Sequence, residues 1–291
     1  MASFADRKMK YVLVIPVVIF VLCLAIFPLV FSIYISFGQW LPGTAGIQFT
    51  GIRNYQLLFS DPRFINALRL SFIYVASAVA LQLTIGIVLA MFLQKDLSGK
   101  NFFRVSFMLP MLLSPVAVSY AWKMIYDYSR GPLNFFIGLA GIEPIEWVGR
   151  STTAVLSLVI VDVWQWTPFM VLTILAAFEA LPEELFEAAV VDGGTPFTIF
   201  RVIALPLALP VIVTIVFLRV IDAFKVFDTV YILTGGGPGT ASEMLNFYIY
   251  VKGFRAFDLG YGSAMSWVQL AIIIALFTFF IKSLKRMGAM R

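Results

Sequence analysis

The stretch Glu187–Pro210, EAAVVDGGTPFTIFRVIALPLALP, decides how this chain must be built. It lies between two long apolar spans, yet it is too acidic and too punctuated by Gly and Pro to cross a bilayer itself. Just upstream, Leu181-Pro182-Glu183-Glu184 predicts a helix start, with Pro at the first position and carboxylates in the first turn. Leu185, Phe186, Ala189 and Val190 then form an apolar stripe at helical spacing, and Glu184 and Glu187 fall off it. Gly193-Gly194 can take the left-handed conformation that ends a helix, and Thr195-Pro196 can cap and open a second. Phe197, Phe200 and Ile203 continue an apolar face that Leu205-Pro206 is expected to break. The stretch therefore reads as a short amphipathic helix, a tight turn and a second short helix. Such a unit cannot bury its own apolar face and needs a partner.

Working outward, hydrophobic residues make up 61% of the 291 positions, well above the roughly 45–50% of soluble domains. Charged residues make up 13%, about half the usual share. Together these predict an all-α polytopic membrane protein. There is no His, which removes the commonest metal ligand and the side chain that titrates near neutral pH. The one Cys, Cys23, falls in an apolar span, so no intrachain disulfide or Cys-based metal site exists. No cofactor is expected. The net charge of +5 is ascribed to membrane flanks rather than to nucleic-acid binding.

Six transmembrane helices are expected, at about 11–37, 67–93, 105–126, 153–178, 206–231 and 263–281, in one transmembrane domain covering 1–291. Each is near or above the roughly 20 residues that a bilayer demands. The first is too long for a signal peptide and lacks a small-residue cleavage site, so it is read as a retained span. Orientation follows from Lys and Arg in the connections. One side carries Arg7, Lys8, Lys10, Lys95, Lys100, Arg104, Arg201, Lys282, Lys285, Arg286 and Arg291. The other carries Arg53, Arg63, Arg130, Arg150, Lys252 and Arg255. Both termini and the 179–205 loop are thus expected in the cytoplasm. That loop departs from its side in holding Glu179, Glu183, Glu184, Glu187 and Asp192 against Arg201 alone. A helix meant to lie on an anionic leaflet would be basic, so this one is better suited to docking on a protein.

No G-x-x-x-x-G-K-[ST] phosphate loop occurs, so any nucleotide chemistry must come from a partner. At this point the residues resemble a known family. Glu187-Ala188-Ala189, Gly193, Ile203 and Leu205-Pro206 stand at the spacing of the EAA loop of bacterial ABC importer permeases. Asp192, Phe200 and Pro210 fit the fuller pattern, and Gly194 replaces a usual Ala. Three further stretches resemble the carbohydrate-importer permeases of the maltose-transporter type, and the first of their two permease subunits in particular. They are Gly51-x-x-Asn54-Tyr55 with Asp61-Pro62-x-Phe64, Arg104 through Leu109-Pro110, and Thr234-Gly-Gly-Gly-Pro238. The extra N-terminal helices and large periplasmic domain of the larger maltose-type subunit have no counterpart in this resemblance, so contacts made there are not carried over.

The resemblance implies an importer of the bacterial inner membrane with a second homologous permease, two ATP-binding-cassette ATPase subunits and an extracytoplasmic substrate-binding protein. It implies no enzyme activity in this chain. In that family the EAA loop couples to the ATPase, which assigns Glu187, Ala188, Ala189, Asp192, Gly193, Phe200, Leu205 and Pro206 to coupling. Glu187 is the expected charged contact and Gly193 the turn.

Polar residues inside membrane helices are costly and default to functional candidates. The span before the loop carries Asp162, Gln165, Trp166 and Phe169 at helical spacing, and the span after it carries Arg219, Asp222, Ala223 and Val226. Aromatic faces with carboxylate, amide and guanidinium groups suit a sugar. The resemblance assigns these eight residues to the central site. A simple Arg219–Asp222 pairing at i, i+3 is the plainer account of those two charges. Trp164 is expected to face lipid or a neighbouring helix, Lys225 and Asp228 rank lower as site residues, and Lys123 is read as a snorkelling residue in an aromatic belt. Alternative ligands for the same architecture are a polyol, a glycerol-phosphate compound or an anionic sugar. A secondary transporter is disfavoured because no pair of inverted halves is visible.

Overall fold

The computed structural model describes residues 4–40, 43, 46–94 and 100–286. Of the charges used for orientation, Lys95 and Arg291 lie outside these residues, as do the side chains of Arg7, Lys8, Lys10, Lys100, Lys285 and Arg286. Helix α1 (Phe4–Val21) continues through a π-helical turn, Leu22–Ile26, into α2 (Phe27–Ser36). Two short strands, β1 (Gly38–Gln39) and β2 (Gln48–Phe49), pair antiparallel with Gly38 opposite Phe49. Then follow α3 (Arg53–Ser60), α4 (Pro62–Leu93), α5 (Lys100–Leu112), α6 (Pro115–Ile125), α7 (Pro132–Leu139) and α8 (Ser151–Glu179). The 179–205 region holds α9 (Glu183–Val191) and α10 (Pro196–Ile199), and α11 (Leu205–Phe224), α12 (Leu245–Tyr250) and α13 (Leu259–Arg286) complete the chain. Among the described residues, five helical segments are long and apolar enough to cross a membrane, and the bent α5–α6 pair makes a sixth if its halves count as one span. The protein is an all-α polytopic membrane protein.

Two spans differ from the sequence expectation. The third, read as one helix over 105–126, is α5 and α6 meeting at 98°. Pro115 opens α6 and holds Ser114 extended, at φ −60° and ψ 135°. Proline disfavours helical geometry in the residue before it, and here that turns the chain. The fifth, read as 206–231, is displaced at both ends. Leu205-Pro206 does not break the helix: α10, a π-helical turn Phe200–Ala204 and α11 run on as one span, Pro196–Phe224. Pro206 has no N–H to give the carbonyl four residues back. The Leu205 N–H instead reaches Phe200 O, widening one turn to pass the proline. The same device precedes Pro28, where the Phe27 N–H reaches Leu22 O. At its far end α11 stops at Phe224, short of the expected 231.

The chain divides into two units. The first comprises residues 1–62 and 249–271. In it the Asn54 amide donates to Ser36 O and Gly38 O, both at 2.9 Å, and the Tyr261 hydroxyl donates to Asp61 Oδ2 at 2.7 Å. Two polar positions of the family-like segment at 51–64 therefore hold structure. The second unit comprises residues 63–248 and 272–291. In it α8 packs against α11 and α5, and α4 and α8 carry most of the buried residues. Arg63 grips the buried Glu243 with two bonds of 2.6 and 2.7 Å and lies 5.0 Å over the Tyr248 ring.

Gly86 sets the approach of α4 to α8, since a Cβ there would stand 3.0 Å from Met170 Cβ and 3.3 Å from Ile174 Cδ1. Small residues at such crossings let helix backbones meet closely in a membrane. Gly86→Val is expected to cost about 1–3 kcal/mol, the usual range for overpacking. A lowered thermal midpoint of the detergent-purified protein checks this, and an unchanged midpoint would count against that packing.

Candidate functional site

The second unit contains a cavity of about 270 Å³ between α8 and α11. Asp162, Gln165 and Trp166 reach it from α8, with Pro115 from the start of α6. Arg219 and Asp222 reach it from α11, and Lys225 through Thr229 close it. Of the eight residues assigned from the sequence, Asp162, Gln165, Trp166, Arg219, Asp222 and Val226 line this space. Phe169 and Ala223 do not: Phe169 is half-buried elsewhere on α8, and Ala223 is buried in helix packing.

The early end of α11 explains much of the lining. Lys225, Val226 and Phe227 leave the helix, and all five residues from Lys225 to Thr229 face the cavity. Non-helical backbone next to a membrane span is tolerated where it lines a cavity or is buried in protein. One carbonyl freed by the break, Lys225 O, accepts from Asn246 Nδ2 at 2.9 Å. The second break is served likewise, because Gln165 Nε2 donates to Leu113 O at the α5–α6 bend, at 3.2 Å.

Arg219 is 1% exposed. Its Nη2 donates to Asp162 Oδ1 and Oδ2 at 3.2 and 3.0 Å, and its Nε donates to Gln82 Oε1 at 3.1 Å. Gln82 in turn donates to Asp162 Oδ2 at 2.7 Å and Asp162 O at 3.1 Å. The guanidinium carbon sits 4.9 Å above the Trp166 ring, a cation–π arrangement. The main partner of Arg219 is thus Asp162 on α8, and the i, i+3 contact with Asp222 is a longer 3.9 Å from Nη1. A buried guanidinium gains most from a fully hydrogen-bonded partner, which Asp162 supplies across the helix interface. Asp222, with its side chain 53% exposed, pairs with Lys225 at 3.3 Å. Lys225 and Asp228, ranked low from sequence, are lining residues. Gln82, absent from the sequence assignment, is the third member of the buried cluster.

Other expectations resolve plainly. Trp164 is exposed and lies edge-on to Trp122 at 5.8 Å, away from the cavity. Lys123 donates to Ile232 O at 3.0 Å rather than standing free at an interface.

In the 179–205 loop, α9 has no buried residue, and Glu187, Ala188 and Asp192 are exposed while Ala189 is half-buried. Pro182 sits one position earlier than expected, as the residue flanking α9. Gly193 has φ +78°, the left-handed turn read from the sequence. A Cβ at Gly194 would stand 2.7 Å from Ala189 O, so the turn is tighter than the Ala usual in the resemblance permits. Thr195 accepts from the Thr198 N–H at 3.3 Å, capping α10. Phe200 turns inward, edge-on to Phe178 at 5.9 Å, and Leu205 and Pro206 belong to the continuous helix. An ion pair from Arg104 to Glu179 holds the loop's start to α5. Phe186, Phe197 and Phe200 share an apolar groove of about 700 Å³ with Val88, Met91 and Phe92 of α4. Leu185, Val190, Val191 and Phe197 remain exposed. The loop thus presents carboxylates and uncovered apolar side chains together.

Residues 82–288 match the family described as the binding-protein-dependent transport system inner membrane component. The probable ABC transporter permease protein y4oQ of Sinorhizobium fredii is 36% identical over 252 residues, covering 86% of this chain and 81% of that protein. The trehalose/maltose transport system permease protein MalF of Thermococcus litoralis is 33% identical over 283 residues, covering 96% of this chain and 95% of that protein. Among solved structures, a bacterial ABC transporter involved in the import of the acidic polysaccharide alginate has a chain of the same fold. Its TM-score is 0.85 at 19% identity, over 97% of this chain and 96% of that one. With the two helix breaks, the cavity beside them and the exposed loop already in place, these matches show that the chain belongs to the inner-membrane components of binding-protein-dependent transport systems and is an ABC transporter permease.

Proposed function

We propose that this permease carries a neutral, hydroxyl-rich carbohydrate into a bacterial cell, powered by ATP hydrolysed on partner subunits. The observation that carries the reading is the charge balance of the cavity. Arg219 is answered by Asp162 and Lys225 by Asp222, which leaves Asp228 as the remaining charge. A cavity with paired cations and a further, half-buried carboxylate at Asp228 favours hydroxyl donors over anions, so an anionic sugar or a glycerol-phosphate compound fits it less well. Trp166 supplies a ring for an apolar sugar face, and Gln165 and Asp222 supply polar groups. The Thermococcus litoralis relative, named for trehalose and maltose, supports the same class.

The assembly that goes with this reading has a second homologous permease, two ATP-binding-cassette ATPases and an extracytoplasmic binding protein. Both termini and the 179–205 loop face the cytoplasm, where Glu187 and its neighbours meet the ATPase. Helices α8 and α11 flank that loop directly, so closure of the ATPases would tilt both cavity-bearing helices together. The chain itself carries no catalytic residue in this account.

The test is uptake by the reconstituted complex across labelled sugars that include maltose and trehalose. Asp222→Ala and Trp166→Ala are each expected to cut uptake by about tenfold or more, the effect of losing one strong polar or aromatic contact. Assembly with the ATPase should survive. Unaltered uptake kinetics in both variants would reject the cavity as the substrate site.

A further inference from the structure

Gln82 lies on α4, outside both helices that flank the loop, and it is wholly buried in a stretch of α4 with no other amide or charged side chain. A buried amide in a membrane helix is costly unless its donors and acceptor are used. Here both sides are used, on two different partners of opposite charge. Its Nε2 donates to Asp162 at 2.7 Å, and its Oε1 accepts from Arg219 Nε at 3.1 Å. With Nη2 on Asp162 and Nε on Gln82, the guanidinium has two of its three nitrogens occupied in one plane. Nη1 is left, facing Asp222 at 3.9 Å, beyond hydrogen-bond reach, beside the cavity that both residues line. The same plane lies over the Trp166 ring.

We propose that Gln82 is a positioning residue for this cavity: it fixes the roll of the Arg219 guanidinium, so that Nη1 alone is offered to a ligand and the Trp166 face stays stacked beneath the cation. An Arg–carboxylate pair alone can engage in several ways, through Nη1 with Nη2 or through Nε with Nη2. The amide removes that freedom by occupying Nε. Gln82 does not line the cavity and acts only through Arg219 and Asp162.

This proposal rests on the cavity being the substrate site, and its test separates the two. Gln82→Met keeps the volume and removes all three hydrogen bonds of the amide. In the reconstituted complex, KM for the labelled maltose or trehalose that wild type transports is expected to rise about tenfold, as for one lost hydrogen bond to a charged group. The maximal rate should fall less than about threefold. A merely structural loss would instead lower the rate and the amount of complex at unchanged KM. The second readout needs no sugar. In 5-fluorotryptophan-labelled complex, the fluorine resonance that disappears in Trp166→Phe is expected to shift in Gln82→Met. The Trp267 resonance, from an indole bonded to Ser32, should stay in place. If Gln82→Met does not assemble, Gln82→Leu carries the same two expectations, because it too leaves Arg219 Nε and the Asp162 carboxylate without the amide. An assembled variant with unchanged KM or an unmoved Trp166 resonance would overturn the proposal. Absence of uptake of either sugar by wild type would count against the carbohydrate reading and leave the fluorine resonance to decide the role of Gln82.

Discussion

Asp162→Ala is expected to yield a permease that no longer accumulates in the membrane. The substitution leaves Arg219 buried, charged and without its carboxylate. Breaking a buried pair from one side costs about 3–5 kcal/mol, a large part of the roughly 5–15 kcal/mol that holds a typical domain folded. The double variant Asp162→Ala/Arg219→Met removes both charges and should recover accumulation, because apolar replacement of a whole buried pair is often neutral. It should not recover uptake. Fluorescence-detected size exclusion of the tagged protein reads both outcomes. Full accumulation of the single variant would mean that Arg219 does not depend on Asp162.

The second large effect lies at the other end of the same helices. Glu187 is exposed on α9, and Gly193 holds φ +78° in the turn behind it. Valine at 193 would enter a conformation that costs a β-branched residue about 1–3 kcal/mol and would splay α9 from α10. Glu187→Ala removes a charge that the account gives to the ATPase interface. Both variants are expected to reach the membrane, yet to lose substrate-stimulated ATP hydrolysis and uptake together, each by about tenfold or more, as for a lost charged interfacial contact. Normal stimulated hydrolysis with normal uptake in both would remove the loop from the coupling path.

The residues differ in how openly they announced these roles. The turn at 193 was readable because only a few residue types suit a positive φ, and a Gly-Gly before Thr-Pro is one of the least ambiguous local signals. Most apolar spans were readable from composition alone. The bend in the third span was also written in the chain, as Ser114-Pro115, but an apolar run on both sides masked it. The end of α11 was hidden for a different reason. Lys225-Val226-Phe227 is compatible with a helix, and its unwinding depends on the cavity and on Asn246, twenty-one residues away. The pairing of Arg219 was the hardest to foresee. Asp222 was the near carboxylate in sequence, while Asp162 and Gln82, fifty-seven and one hundred and thirty-seven residues away, are the near ones in space. A lone amide in a run of α4 without charged side chains was the one signal that pointed to Gln82.

The measurement closest to the central claim is ATP-dependent uptake by purified material in sealed vesicles. The chain is expected to co-purify with an ATP-hydrolysing partner. Labelled sugar is expected to enter only when ATP and the binding protein stand on opposite sides of the membrane. Equal uptake by the chain alone, without ATP and abolished by a proton or sodium ionophore, would contradict that claim.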